Sequence, residues 1–427
     1  MQISRRHFLE ITSMLAGSAV AASSMPWISA FSQPETFGKD PSDRVRIGFI
    51  GLGTRGQTLL LNMMDFTERL NVEIAALCDI YQPHFERMGK MTGGKVPCFY
   101  DYREMLDSVE LDGVVIATPL HQHEEPTIHA MEKGVHVFCE KSMARTLDEV
   151  KNMYDAHKEH QKILLVGHQR LFSPVYLSAL ERIRNNEIGP VTMINGNWHR
   201  NQSWILYGGL EPGSALDRQL NWRLYREYSA GMITELCSHH LQVANWVLDS
   251  TPISVSGSGS INFWKDHREV WDNFSLIFKY PGGIHFKYSC LQSNKHNGMQ
   301  IEVLGNKGTM DLEVNKQYEE FPPAPPAIRQ LIHSIERNIF DTIPIGGATW
   351  VPAEPVAQGG RFISDDWEMN ETQLFLEAFV DFIRKGEAPQ KLTDEGYHAS
   401  IWALLAEEAT YSDQHITIPE PYLLSKS

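Results

Sequence analysis

The chain has 427 residues, 42% hydrophobic and 21% charged, with a formal net charge of -15. That length suits two domains and a core large enough to need neither disulfides nor metal. The acidic balance argues against a nucleic-acid partner or an anionic membrane surface, both of which require a basic face.

In chain order, the first feature is Ser4-Arg5-Arg6-His7-Phe8-Leu9, a twin-arginine signature. The apolar stretch from Ile11 to Ala22 that follows is too short and too rich in small residues to span a membrane, and it reads as an export signal. We expect a signal over 1–30, cleaved after Ala21 or Ala30, and a polar linker over 31–43. The expected partner is the twin-arginine export machinery and the expected location the periplasm. That route carries folded proteins, so an exported protein with a metabolite cofactor is expected to hold it tightly. The five cysteines, Cys78, Cys98, Cys139, Cys237 and Cys290, form no C-x-x-C pair and read as small buried hydrophobes.

The run Val45 to Ile50 has the continuous apolar character of a central parallel strand. It leads into Gly51-Leu52-Gly53-Thr54-Arg55-Gly56, with G-x-G-x-x-G spacing. The first glycine permits a tight turn and the second lets backbone approach a pyrophosphate. The third lets a helix pack close, with its N-terminal N–H groups facing the phosphates. A helix over Gln57–Leu70 and a second apolar run, Val72 to Cys78, follow. That run ends in Asp79, placed to hold a ribose diol and to repel a 2′-phosphate, so NAD is preferred to NADP.

Helices at Tyr81–Lys90 and Tyr100–Leu106 precede a buried strand, Gly113–Ala117. Then come a helix at Pro126–Lys133, a strand at Val135–Cys139, a helix at Thr146–His157 and a strand at Ile163–Val166. This alternation specifies a doubly wound parallel sheet over 44–166, a Rossmann domain. Its ligands belong beyond the carboxyl ends of the strands, where Asp79, Thr118–His123 and Glu140–Ser142 fall. Ile253 to Leu312 has period-2 runs that fold back at Pro281-Gly282-Gly283 and Gly305-Asn306-Lys307-Gly308, as in an open antiparallel sheet. A proline- and glycine-rich insertion covers about 319–362, and helices are expected at Glu368–Arg384 and about Asp394–Ser412. The whole is an α/β chain with an α+β second domain over 167–427.

Ala117-Thr118-Pro119, His123, Gly134-Val135-His136-Val137 and Glu140-Lys141 resemble the Gfo/Idh/MocA oxidoreductases, the family of glucose–fructose oxidoreductase and inositol dehydrogenase. Leu120 stands where that family has Asn, and Ser142 where it has Pro, which bears on how Lys141 is set. In the second half, Gly167-His168-Gln169-Arg170, Ile188-Gly189-Pro190-Val191, Asn221-Trp222-Arg223 and Gly231 to His240 continue the resemblance. There Glu235 stands where Asp is usual.

The resemblance implies a cofactor-binding set wider than Gly51, Gly53, Gly56 and Asp79. Thr54 and Arg55 join it in the glycine turn. Thr118, Pro119, His121 and His123 follow the next strand, Glu140 and Lys141 the one after, and Gln169 marks the entry to the second domain. It also implies Lys141 as the base for a substrate hydroxyl, beside a positive nicotinamide that lowers its pKa. His239 is then the relay or substrate contact. Glu235, at i, i+4 spacing, orients His239 or binds a hydroxyl itself. Trp222 and Arg223, and less so Arg200, are the substrate candidates, since aromatic faces and forked cations suit a sugar. His121-x-His123 and His239-His240 were weighed as metal ligands, but two separate pairs do not make a converging set, and no metal is expected.

Three functions stay open on sequence. The first is an NAD-dependent oxidoreductase acting on a sugar or polyol hydroxyl. The second is a redox-neutral glycoside hydrolase of the same superfamily, which works by transient oxidation, elimination, water addition and re-reduction; that branch lacks the Glu-Lys pair present at Glu140-Lys141. The third is a non-catalytic sugar- or NAD-binding protein. The resemblance also implies that the sheet of the second domain mediates a dimer or tetramer.

Overall fold

In a computed structural model of the protein, residues 43–320 and 360–424 are described. The expected signal, all of the linker but Asp43, and nearly all of the 319–362 insertion lie outside the described residues.

The first unit runs β1 (Val45–Ile50), α1 (Thr54–Met64), β2 (Val72–Cys78), α2 (Gln82–Met91), β3 (Cys98–Phe99), α3 (Tyr102–Ser108), β4 (Gly113–Ile116), α4 (Glu124–Glu132), β5 (His136–Cys139), α5 (Leu147–His160) and β6 (Leu164–Val166). The strands lie in the order β3-β2-β1-β4-β5-β6, every neighbouring pair parallel. This is the doubly wound sheet expected from the alternation. Its strand order reverses between β1 and β4, which opens the crevice for a ligand there. β4 is buried along its whole length, and so is all of β1 except Arg46, which explains their near-continuous apolar runs. The helix expected over Gln57–Leu70 stops at Met64 and gives way to turns. α5 begins where Thr146 and Glu149 form a reciprocal capping box.

The second unit holds α6 (Pro174–Arg184), β7 (Val191–His199), α7 (Ala215–Leu220), α8 (Ser238–Leu248), β8 (Ser254–Ser260), β9 (Asn273–Lys279), β10 (His285–Leu291), β11 (Met299–Gly305), β12 (Gly308–Asp311), β13 (Lys316–Glu319) and β14 (Arg361–Phe362). Its strands lie in the order β14-β13-β12-β11-β7-β10-β9-β8. Only β7 and β10 run parallel, and the other pairs are antiparallel. Burial alternates along β9 and β10, so one face is covered and the other is open.

Two last helices, α9 (Glu371–Lys385) and α10 (Gln390–Ser412), depart from the division at 167. They follow the second unit in the chain, yet α9 lies on the parallel sheet. Phe375 packs on Phe138 of β5 with centroids 5.0 Å apart, and a Cβ at Gly113 of β4 would stand 2.7 Å from Ile383. α9 begins at Asn370, whose side chain accepts from Thr372 and Gln373 N–H, and it ends at Gly386. α10 bridges both units. It contacts α8 and β8, and its Thr393 donates to Leu164 O of β6 at 2.8 Å.

Candidate active site

The cofactor end is built by the glycine turn. Gly51 has φ +90°, and a Cβ there would sit 2.6 Å from the Ala117 backbone; a Cβ on Gly56 would sit 2.0 Å from Gly51 O. Both positions exclude side chains for steric reasons. No side chain caps the N-terminus of α1, where Thr54 and Arg55 form the first turn. Bare backbone, an uncapped helix end and an acid at the tip of β2 fit a dinucleotide. Asp79 is buried, and it already holds the turn. Its Oδ2 accepts from Leu52 N–H at 2.6 Å and lies 2.9 Å from His84 Nδ1, while Oδ1 accepts from Tyr81 N–H at 2.8 Å.

Two residues expected on the cofactor pair with each other. Arg55 Nε donates to Glu140 Oε1 at 2.6 Å, and the Glu140 carboxylate is packed against Gly167, where a Cβ would come within 2.9 Å of it. His123 is tied to backbone on both sides. It is buried, with Nε2 2.9 Å from Thr118 O and Nδ1 2.9 Å from Ser142 O. It therefore braces the loop that holds Thr118 and Pro119 against the loop after β5. His121 sits in the following turn, its ring 4.3 Å from that of Tyr228. Burial, then His123, pushes its pKa down to about 4. Gln169 lies beside Glu371 at the start of α9.

The Lys141–Ser142 peptide is cis. Lys141 projects from the end of β5 with its side chain only 9% exposed, and its Nζ lies 3.5 Å from Glu235 Oε2. Arg223 Nε donates to the same oxygen at 2.9 Å. One buried carboxylate thus holds two cations. Burial pushes the lysine below its ordinary pKa, against the pull of Glu235 and Glu140. Burial also pushes Glu235 up, but Lys141 and Arg223 outweigh it and hold the carboxyl below its ordinary value.

The expected orientation of His239 by Glu235 is not what the structure has. Ile233–Cys237 forms a π-helical turn before α8, so i, i+4 spacing no longer sets one face. Glu235 is engaged by Lys141 and Arg223, and His239 Nδ1 has no protein partner. His239 is buried, and that burial holds it far below its ordinary pKa, so it is neutral. Its ring meets His168 edge-on at 5.8 Å. His168, which sequence reading left outside the site, is pushed down to about 3 by burial first and then by Lys141 and Arg170, and neither of its ring nitrogens is partnered. Buried polar atoms without partners carry a free-energy cost that a polar ligand relieves.

Trp222 is buried beneath Arg223, whose guanidinium lies 4.3 Å from the indole centroid. Arg200 lies 5.1 Å over Trp198, whose ring is 6.0 Å from that of His239. The two histidines of the His239-His240 pair diverge, since His240 Nε2 sits 3.3 Å from Glu313. Among the described residues no cluster of three or more His, Cys, Asp or Glu could hold a metal.

A parallel sheet with a glycine turn at its switch point and a buried lysine across the crevice defines a dinucleotide-dependent oxidoreductase class. Residues 45–168 match the oxidoreductase family with NAD-binding Rossmann fold, and residues 176–311 match the GFO/IDH/MocA C-terminal domain. The chain is 31% identical over 352 residues to levoglucosan dehydrogenase of Pseudarthrobacter phenanthrenivorans, covering 75% of this chain and 83% of that protein. It is 30% identical over 206 residues to a glycosyl hydrolase family 109 protein of Shewanella pealeana, covering 44% of each. Among solved structures, a levoglucosan dehydrogenase in complex with NADH and levoglucosan superposes with a TM-score of 0.67 at 19% identity, covering 88% of this chain and all of that one. The chain belongs to the Gfo/Idh/MocA oxidoreductase family.

Proposed function

We propose that the protein oxidises or reduces one hydroxyl-bearing carbon of a sugar or polyol, with NAD rather than NADP. The observation that carries this is Lys141, buried and drawn below its ordinary pKa at the carboxyl end of β5. When bound, the nicotinamide supplies the hydride acceptor. Lys141 takes the hydroxyl proton through its neutral amine. Glu235 fixes the position of that amine, and Arg223 shares the carboxylate. The neutral imidazoles of His239 and His168 bind neighbouring hydroxyls. Asp79 favours a 2′-hydroxyl over a 2′-phosphate by its charge. The sugar and polyol dehydrogenases among the relatives support the substrate class.

The twin-arginine signature supports export to the periplasm with the cofactor already seated. Replacing Arg5 and Arg6 by Lys is expected to leave the protein in the cytoplasmic fraction. The open face of the second sheet supports a dimer or tetramer, and light scattering of the purified protein tests it.

The redox-neutral glycoside hydrolase is the second reading, favoured by the 206-residue match to a family 109 protein. One experiment separates the two. Protein purified without added cofactor is scanned in the reduced-nicotinamide band before and after sugars and aryl glycosides, with aglycone assayed in parallel. Accumulating reduction without aglycone supports the dehydrogenase. Aglycone release without net reduction supports the hydrolase. Protein that neither carries nor binds NAD sinks both.

A further inference from the structure

The loop between β7 and α7 leaves the second unit and reaches the ribose end of the first. Tyr207 on that loop has its hydroxyl 3.1 Å from His84 Nε2, and His84 Nδ1 lies 2.9 Å from Asp79 Oδ2. A carboxylate only accepts, so the proton belongs on Nδ1, and Nε2 accepts from the tyrosine hydroxyl. Tyr81 closes the group, with its ring edge-on to His84 at 4.9 Å and to Tyr207 at 6.2 Å. His84 is buried and lies over the second glycine of the turn; a Cβ on Gly53 would meet its Cε1 at 3.9 Å.

The tip of this loop is held firmly. Asn221, 2% exposed, accepts from Leu206 N–H and from Tyr207 N–H at 2.9 Å each. Its amide nitrogen donates to Tyr207 O at 2.9 Å and to Asp217 at 2.7 Å. All four hydrogen-bonding positions of that amide are used. Asn221 therefore fixes the backbone that presents Tyr207, and a rigid strap from one unit is hydrogen-bonded, through one imidazole, to the acid of the other.

We propose that Tyr207 and His84 form a clasp across the adenosine-ribose end of the cofactor site, so that a dinucleotide enters and leaves only when their hydrogen bond opens. This rests on the reading above that Asp79 holds the ribose. The clasp makes the cofactor slow to exchange, as a cofactor carried through export and recycled in place requires.

The test follows NADH fluorescence on the full-length protein by stopped flow, with binding and displacement rates measured separately. Losing one hydrogen bond raises the open population roughly fivefold. Tyr207→Phe is therefore expected to raise both rates about fivefold and to leave the dissociation constant nearly unchanged. His84→Phe breaks the same link from the other side and serves should Tyr207→Phe fail to fold. Unchanged rates overturn the clasp. A faster displacement alone also overturns it, since that is the mark of a lost ligand contact rather than a gate. NADH that binds neither the wild type nor the variants removes the reading on which the clasp stands, and that result is distinct from the other two.

Discussion

Glu235→Gln is the perturbation that probes the centre of the site most directly. The carboxylate stands 3.5 Å from Lys141 Nζ and 2.9 Å from Arg223 Nε, and its side chain is 7% exposed. At an effective dielectric of about 20, each pair is worth about 5 kcal/mol before desolvation is charged against it. Removing one partner of a buried pair costs about 3–5 kcal/mol net, because the other charge is stranded. We expect the low end, about 3 kcal/mol at neutral pH, since Arg223 is 23% exposed and recovers water.

The loss should depend on pH. The folded pKa of Lys141 lies below its ordinary 10.5, so folding releases a proton and stability rises with pH between the folded value and 10.5. Without Glu235, which pulls that pKa upward, the window opens at lower pH. The gap between wild type and variant is therefore largest where Lys141 is charged in both, and it narrows as pH rises from the variant's folded pKa to the wild type's. Urea denaturation across neutral to alkaline pH measures the gap. Trace acetic-anhydride labelling, read at Lys141 by mass spectrometry, measures the neutral amine and should be higher in the variant at a fixed neutral pH. A gap that does not vary with pH, or weaker labelling of Lys141, would refute the reasoning.

Gly56→Ala places a methyl 2.0 Å from Gly51 O. Such overpacking should cost about 1–3 kcal/mol and abolish NADH binding, seen by fluorescence titration. His239→Asn keeps a neutral hydrogen-bonding side chain, so the acid limb of the rate profile should stay in place while turnover falls; a limb that moves would mean that His239 titrates there. Ser400→Ala leaves buried Met143 N–H without its acceptor, now 2.9 Å away. It should lower unfolding stability by about 1–3 kcal/mol, read by urea titration.

The parallel sheet was legible because its signals are local. Apolar runs of strand length, glycines at fixed offsets and an acid at a strand tip each act within a few residues. Asn370 and Gly386 bound α9 by the same kind of local signal, but nothing within it shows that it returns to β4. The Tyr207–His84 link joins residues 123 positions apart, and neither carries a motif. His168 was visible only as part of a family pattern that did not single it out. The π-helical turn hid itself, because its residues are ordinary helix formers and the i, i+4 spacing of Glu235 and His239 then misleads. His123 carries a motif signal, and only the structure shows that it braces two loops.

The structure adds a second cause for the lowered pKa of Lys141. On sequence, the charge of the nicotinamide was the agent that lowers the pKa of Lys141. In the structure, burial does so from the protein side alone, and Glu235 tempers it. If Lys141 is the base, as proposed above, the protein itself lowers its pKa before any ring arrives, and a positive nicotinamide beside it would lower that pKa further by repulsion while the reduced ring would not. Proton affinity at Lys141 then rises as the cofactor is reduced. On the proposed reading, a proton taken from the substrate hydroxyl would be held more firmly once hydride had moved than before. That coupling would favour returning both proton and hydride to the same bound molecule over releasing either, under either of the two proposed reactions.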